Sequence, residues 1–251
     1  MSEFLDIAAE KYHPGLSVDC VIFGFHENEL KVLLLKMKHT SKWALPGGFV
    51  EKYEHIDLAA IRVLENRTGL KDIFLKQFYT FGDPDRHDHE MDLELFKQSG
   101  RDPVKDHWFL QRFITVGYYA LIEFSKASPR PDDISDACEW KSVDELPDMI
   151  LDHREIADKA LDTLRFQINY QPIGHRLLPV KFTMPELQKL YETILGKELD
   201  RRNFQRKMLA YGILKDLGER RKGGAHKAPY LYSFDVKKYN AALKIGLKGS
   251  W

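Results

Sequence analysis

The chain lacks most of the features that mark secreted and membrane proteins. Its 251 residues include only two cysteines, Cys20 and Cys138, both in apolar, strand-like surroundings. Two such residues cannot form a disulfide framework, so we expect buried free thiols in a reducing compartment. No apolar stretch is long enough to cross a bilayer, and the amino terminus has no signal-peptide pattern. The sequence therefore predicts a cytoplasmic protein that does not associate with membranes.

Internal repeats and low-complexity segments are also absent, and the formal net charge is zero. That zero conceals an uneven distribution of charge along the chain. Residues 171–251 contain 17 Lys and Arg against 7 Asp and Glu, whereas residues 1–170 hold the other 21 basic and 31 acidic residues. The length is typical of two domains, and the basic segment predicts that the carboxy-terminal one binds an anionic partner.

A glycine-rich turn and the segment after it carry the most specific motif. The spacing of the residues after the turn resembles the Nudix box, G-x5-E-x7-R-E-U-x-E-E-x-G-U, in which U is aliphatic. The turn also follows a strand-like stretch, Trp43 to Pro46, as it does in the Nudix family. The matching residues are Gly48, Glu54, Arg62, Leu64, Gly69 and Leu70. The alternative is an ordinary glycine-rich turn before an amphipathic helix. Such a turn does not explain six matches at this spacing, so we expect a Nudix-like domain.

Three positions of the box carry residues that do not bind metal. In Nudix hydrolases, glutamates there hold the Mg²⁺ that activates water and neutralises the charge of a diphosphate. Here the residues are Val63, Asn66 and Arg67. None of them offers a hard cation a carboxylate, and the guanidinium of Arg67 repels it at close range. We therefore expect no catalytic residues, no metal and no cofactor, although nearby glutamates leave weak metal binding open.

The rest of residues 1–170 fits a Nudix-like α/β/α sandwich with a mixed sheet. Strands are expected at 18–25 and 30–36, joined by a polar turn, and two central strands at 78–86 and 113–122. Residues 1–16 are expected to form a helical turn and a connector.

Two further segments complete this part of the chain. A helix is predicted from His153 to about Ile168 on its apolar spacing. The charged stretch 87–111 interrupts the pair of central strands as an insertion. Its His87-Asp88-His89-Glu90 run suggests a metal site, but without a second group of ligands a solvated loop is the favoured interpretation.

The basic carboxy-terminal segment has the pattern of a helix-turn-helix. Thr183 and Glu186 form a capping box before an apolar stripe that stops at Gly196. After a short turn, Asp200 can cap a second helix, 201–211. A basic turn and an aromatic strand at 230–234 follow. This order is that of a winged helix-turn-helix, whose second helix enters the major groove of DNA.

The residue types of the second helix and the hairpin suit DNA. Arg, Asn and Gln make bidentate contacts with guanine or adenine, and a basic hairpin contacts phosphates or a minor groove. A solvated helix face that binds nothing is the alternative. The expected DNA-binding residues are Arg201, Arg202, Asn203, Gln205 and Arg206 on the helix, and Arg220, Arg221, Lys222 and Lys227 in the hairpin.

A Nudix-like domain followed by a winged helix resembles the Nudix-related transcriptional regulators. That group includes repressors of NAD metabolism and regulators of pentose catabolism, such as the arabinose-responsive one. The resemblance implies an α+β fold with an effector-binding domain at 1–170 and a DNA-binding domain at 171–251. It also implies a homodimer whose partners are double-stranded operator DNA and a small sugar or nucleotide sugar.

The missing acidity of the box favours a sugar as the effector, since family members that sense sugars have lost it. A neutral pentose needs aromatic faces and a few fixed polar groups rather than metal. The candidates near predicted strand ends are Lys36, Trp43, Phe81, Asp85, Arg86 and Tyr118, each equally compatible with ordinary packing. Two alternatives stay open: a regulator of NAD metabolism that senses ADP-ribose or a related nucleotide, and an active Nudix pyrophosphatase.

Overall fold

The computed structural model describes residues 9–71, 73–86, 111–132, 134–221 and 228–247, and they form two compact units. The first unit takes in the described residues up to Phe23, from Val32 to Leu121 and from Lys126 to Ala160. The second takes in Gly24–Lys31, Ile122–Ser125 and the described residues from Leu161 onward. The domain limits inferred from the sequence, 1–170 and 171–251, stay a prediction.

Seven strands of the described residues form the larger sheet, in the order β3-β2-β1-β6-β5, with β4 on β1 and β7 on β2. Their bounds are Tyr12–His26 (β1), Glu29–Met37 (β2), Trp43–Ala44 (β3), Gly47–Glu51 (β4), Leu75–Phe81 (β5), Ile114–Glu123 (β6) and Ser135–Ser142 (β7). The apolar runs of β1 and β6 are buried on both faces, as expected of interior strands. Two helices accompany the sheet, α1 (Ile56–Thr68) and α2 (His153–Gln167).

The structure corrects three details of the predicted strands. β1 begins at Tyr12, which pairs with Glu51 of β4, so residues 12–16 belong to a strand and not to a connector. β5 ends at Phe81, so residues 82–86 lie beyond it. It also ends the strand order and is half exposed, so its prediction as a central strand was wrong. The predicted insertion 87–111 lies outside the described residues except for Gln111.

The second unit contains the predicted helix-turn-helix and hairpin. Its elements are β8 (Phe182–Thr183), α3 (Met184–Leu195), α4 (Arg201–Ala210), β9 (Leu214–Arg220), β10 (Tyr230–Phe234) and α5 (Val236–Ile245). The capping box of Thr183 and Glu186 opens α3, and Gly196 closes it with φ 66°. Asp200 caps α4 by accepting a hydrogen bond from the Asn203 amide. These local signals are therefore confirmed.

Aromatic and aliphatic side chains hold α3, α4 and the small sheet together. Phe204 and Met208 of α4 are buried, and the Phe204 ring packs edge-on against Tyr191 of α3 at 5.4 Å. The small sheet has the antiparallel order β8-β10-β9. The sequence did not predict α5, whose Tyr239 hydroxyl donates to the Pro172 carbonyl at 2.7 Å. No helix within the described ranges is both long and apolar enough to span a bilayer.

Candidate functional site

The retained part of the box forms an ion pair that fixes the start of α1. Arg62 donates two hydrogen bonds to the Glu54 carboxylate, at 2.8 and 2.7 Å, and a third to the Phe49 carbonyl at 2.9 Å. The hydrogen bond from Arg62 is the main reason that the pKa of Glu54 lies below its usual value. Since Glu54 also accepts from the Glu51 amide at 3.2 Å, the pair ties α1 to β4.

The substituted positions of the box pack against protein groups or face solvent. Val63 is buried, and a Cβ on Gly48 would lie 2.9 Å from its Cγ2, so β4 and α1 approach closely only because residue 48 is glycine. Asn66 is exposed. Arg67 donates to Asp132 Oδ2 at 2.6 Å, which places a guanidinium and a carboxylate together at the end of the helix. Among the described residues, no group of three or more His, Cys, Asp or Glu side chains is arranged to hold a metal.

The loop before β7 is joined to the end of α1 through this ion pair. Besides Arg67, Asp132 accepts hydrogen bonds from the Ser135 hydroxyl at 2.6 Å and the Ile134 amide at 3.1 Å. The amides of Ser128 and Arg130 donate to the last carbonyls of α1, both at 3.0 Å. Asp132 is therefore fully engaged with protein donors.

A cleft of about 210 Å³ lies in the first unit, next to the glycine-rich turn. Its walls are mainly apolar and come from β2, β4 and the segment between β7 and α2. Its polar lining includes Asp19, Arg86, Asp132 and His153, which come from four separate parts of the chain. A concave, largely apolar cleft with a few fixed polar groups is the usual form of a small-molecule site.

Arg86 is the centre of the charged floor of this cleft. It is 8% exposed and makes two hydrogen bonds to the Asp152 carboxylate, at 2.8 and 2.9 Å, and one to the Phe113 carbonyl. One of its nitrogens lies 3.9 Å from Asp19 Oδ2. The bidentate pair with Asp152 fixes the Arg86 guanidinium in place. Its two partners are themselves held in position, since Asp152 directly precedes α2 and Phe113 directly precedes β6.

His153 is positioned by a backbone contact at the start of α2. Its Nδ1 accepts a hydrogen bond from the Leu45 amide at 2.9 Å. An acceptor Nδ1 places the proton of the neutral ring on Nε2. That nitrogen lies 3.8 Å from Asp19 Oδ1, so an N–H donor stands beside a carboxylate at the cleft.

Of the six effector candidates predicted from the sequence, Arg86 lines this cleft and the other five do not. Trp43 and Phe81 are buried in the core, and the Tyr118 hydroxyl donates to Asp57 Oδ1 at 2.6 Å. Lys36 and Asp85 are exposed. The assignment of these six residues to effector binding stays a prediction.

Sequence reasoning missed the cleft residues Asp19, Asp132 and His153, and the partner Asp152. For Asp19 a signal existed, because a charged residue within the apolar run of β1 stands out. The others come together only in the folded chain.

The second unit displays a row of polar side chains on α4. Arg201, Arg202, Asn203 and Arg206 are exposed, and Gln205 is partly so. Arg206 donates to the Asn203 side-chain oxygen at 2.9 Å. This is the arrangement that a recognition helix requires, with donors on one face and an anchored apolar face beneath.

The two described arginines predicted for the hairpin have protein partners. The Arg220 guanidinium lies over the Tyr230 ring at 4.1 Å and donates to the Tyr230 hydroxyl at 2.7 Å and the Ala228 carbonyl at 2.9 Å. Arg221 donates to Glu186 Oε2 at 2.5 Å, at the start of α3. Both therefore stabilise the hairpin, whatever they contact in DNA. The predicted Lys222 and Lys227 lie outside the described residues.

Two family models match this chain, one for each part of it. Residues 13–164 match the NUDIX domain, and residues 174–234 match the NrtR DNA-binding winged helix domain.

Known proteins resemble the chain over nearly its whole length. A protein of Acinetobacter baylyi, described as "ADPR responsive transcriptional repressor NtrR", is 30% identical over 234 residues, which are 90% of this chain and 84% of that protein. The crystal structure of Shewanella oneidensis NrtR in complex with a 27mer DNA matches with a TM-score of 0.73 at 24% identity, covering 94% of this chain and 99% of that one. A MutT/nudix family protein from Enterococcus faecalis matches with a TM-score of 0.64 at 23% identity, covering 94% and 93%.

Proposed function

The chain belongs to the Nudix-related transcriptional regulators in which a Nudix domain precedes an NrtR-type winged helix domain, and from this premise we propose that it represses transcription in response to ADP-ribose. The observation that carries the proposal is the resemblance to the Acinetobacter repressor, which spans both domains and is described as responsive to ADP-ribose. The cleft of the first unit is the proposed effector site, and α4 is the proposed operator reader.

This proposal replaces the pentose effector favoured by the sequence with the alternative of a nucleotide effector. On the sequence alone, the missing acidity of the box indicates a sugar sensor. That acidity does not discriminate, because an effector that is bound without being cleaved needs no catalytic metal. The relative matched over both domains is described as an ADP-ribose responsive repressor and not as a regulator of arabinose or carbohydrate metabolism.

We also infer that the cleft binds without hydrolysing. Metal-dependent cleavage of a diphosphate needs carboxylates around the ion, and the box positions for them hold Val63, Asn66 and Arg67. Arg67 is already paired with Asp132 at 2.6 Å, so the Asp132 carboxylate is neutralised by a protein cation.

The DNA side of the proposal assigns base contacts to Arg201, Arg202, Asn203, Gln205 and Arg206 of α4. Arg220 and Arg221 are assigned contacts with phosphates or a minor groove of the DNA, in addition to stabilising the hairpin. The protein acts as a homodimer on two half-sites, and the effector shifts the population between dimer geometries that fit the half-site spacing differently.

Calorimetry followed by a DNA-binding titration tests the effector proposal. The purified full chain is titrated with ADP-ribose, L-arabinose and D-xylose in the presence of EDTA. We expect ADP-ribose to bind and the two pentoses not to bind. We also expect ADP-ribose to change the affinity of the protein for a DNA duplex that the same protein has selected from random sequences. Binding of a pentose without ADP-ribose would contradict the proposal, and so would release of AMP from ADP-ribose in a separate assay that contains Mg²⁺ in place of EDTA.

A further inference from the structure

The Asp19 carboxylate at the cleft is buried but accepts no hydrogen bond from the described residues. Asp19 is 6% exposed and lines the cleft. Its two oxygens lie 3.8 Å from His153 Nε2 and 3.9 Å from an Arg86 nitrogen. Both distances exceed that of a hydrogen bond. A carboxylate in this position has open acceptor sites.

The other carboxylates around the cleft differ from Asp19 in this respect. Asp132 accepts from Arg67, Ser135 and Ile134, all within 3.1 Å. Asp152 accepts two hydrogen bonds from Arg86. Burying a charged oxygen without donors is costly, so natural sites rarely leave one open unless a ligand or water completes it.

The backbone opposite keeps this carboxylate in place and at the cleft. Asp19 of β1 pairs with Gly47 of β4, and a Cβ on Gly47 would lie 2.3 Å from Asp19 Oδ1. Any other residue at position 47 would displace the carboxylate. Glycine at this position therefore leaves room for a carboxylate to which none of the described residues donates a hydrogen bond.

The surroundings of Asp19 select the chemistry of its partner. An ionised carboxylate only accepts hydrogen bonds, whereas the Nε2–H of His153 beside it only donates. A hydroxyl group both donates and accepts, so it can serve the two side chains at once. An amino group of a nucleobase serves only the carboxylate.

We propose that Asp19 binds a ring hydroxyl of the effector, with His153 donating to the same hydroxyl. This inference rests on the proposed function, since it takes the cleft as the effector site. The chemistry is shared by the riboses of ADP-ribose and by a free pentose, so the experiment separates the two sources.

The protein side of the test compares Asp19→Asn with Asp158→Asn in the full chain. Asn keeps the shape but loses the charge and half of the acceptors, so ADP-ribose is expected to bind about 10- to 100-fold more weakly in calorimetry. Asp158 lies on the exposed face of α2 in a pair with Arg154, and its variant is expected to bind as the wild type does. Thermal unfolding of each variant shows that it is folded.

The second experiment removes a hydroxyl from the ligand instead of changing the protein, so it does not depend on the folding of a variant. ADP-ribose is compared on the wild type with five analogues, each of which lacks one ring hydroxyl, at the 2′, 3′, 1″, 2″ or 3″ position. One of the five is expected to bind about 10- to 100-fold more weakly than ADP-ribose. On Asp19→Asn the same analogue should lose much less, since the two changes remove one interaction.

Each remaining outcome decides between the inference and the proposed function. If ADP-ribose binds the wild type and Asp19→Asn equally, the inference fails and the effector proposal stands. Full binding of all five deoxy analogues also overturns it. If only a pentose binds, the effector proposal fails, and Asp19→Asn measured with that pentose supports or overturns the hydroxyl contact. If nothing binds, both fail.

Discussion

The cleft of the first unit and the helix α4 of the second unit present their polar side chains in opposite ways. On α4 the arginines and Asn203 are exposed, whereas Arg86 and Asp19 in the cleft are more than nine-tenths buried. DNA is a large polyanion that brings its own charge to an exposed surface, and release of its counterions drives binding. We expect a small effector to gain affinity from groups that are already held in place, such as Arg86 in its pair with Asp152.

On α4, the side chains that stabilise the fold differ from those proposed to bind DNA. In the cleft, we expect the same side chains to serve both stability and binding. Exposed side chains on α4 are replaceable without harm to the fold, because Phe204 and Met208 anchor the helix from the other side. In the cleft, Arg86 lines the proposed site and also pairs with the Asp152 carboxylate. Changes there should therefore alter folding as well as ligand affinity.

The largest effect is expected from Arg86→Leu, which leaves Asp152 and Asp19 without their buried cation. The loss should be about 3–5 kcal/mol in the free energy of unfolding, as for other broken buried pairs. Urea unfolding of the full chain measures it. The matched control is Arg154→Leu, which breaks an exposed pair with Asp158 and should cost less than about 1 kcal/mol. Equal losses in the two variants would show that the cleft is no more coupled to folding than the surface.

The next effect tests the other side of the comparison through Arg202→Ala on α4. Loss of a base contact should weaken binding to the selected duplex about 10- to 100-fold, with an unchanged free energy of unfolding and unchanged ADP-ribose affinity. Fluorescence anisotropy and calorimetry measure the two affinities. Lys237→Ala, an exposed lysine on α5, is the control for loss of charge. A similar loss in both variants would argue for unspecific electrostatics instead of base reading.

A smaller effect is expected from Glu54→Gln, which removes the ion pair that fixes α1. The pKa of Glu54 is lowered in the folded state, chiefly by the hydrogen bond from Arg62. Its contribution is therefore complete above the unfolded pKa of about 4.3 and is lost as the pH falls through the lower folded pKa. Wild type and variant should differ by about 1–3 kcal/mol at pH 7. Urea unfolding from pH 7 to pH 3 should show the gap closing, and a constant gap would refute the assignment.

The smallest effect is expected from Thr183→Ala, which removes the cap of α3. Thr183 accepts from the Glu186 amide, and Glu186 accepts from the Thr183 amide at 2.7 Å. Loss of the cap should cost about 1 kcal/mol of stability in the second unit. Hydrogen exchange of the α3 amides localises the effect. Unchanged protection there would show that the Arg221 contact to Glu186 suffices to fix the helix end.

The second unit was more predictable than the cleft for a physical reason. A cap such as Asp200 and a stop such as Gly196 act on amides within four residues, so their effect is visible in a short stretch of sequence. The box likewise fixes α1 by local spacing. The extent of β1 was harder to predict, because its first residues are held by Glu51 and its neighbours in β4.

The cleft shows where local reasoning stops. The sequence predicts Trp43, Phe81 and Tyr118 as effector contacts because aromatic residues near strand ends suit a sugar, and folding buries all three without making them part of the lining of this cleft. It selected Arg86 without its partner Asp152, which is 66 positions further along.

The sequence by itself determined the two-part architecture, the helix-turn-helix, and the loss of three carboxylates from the Nudix box. Each follows from residue identity at short spacing, where sterics and backbone hydrogen bonds act over a few residues. Only the tertiary structure decided that Arg67 pairs with Asp132 and that Asp19 faces a cleft with open acceptor sites. Those facts depend on which distant side chains meet when the sheet forms, and burial then makes each missing or completed hydrogen bond energetically decisive.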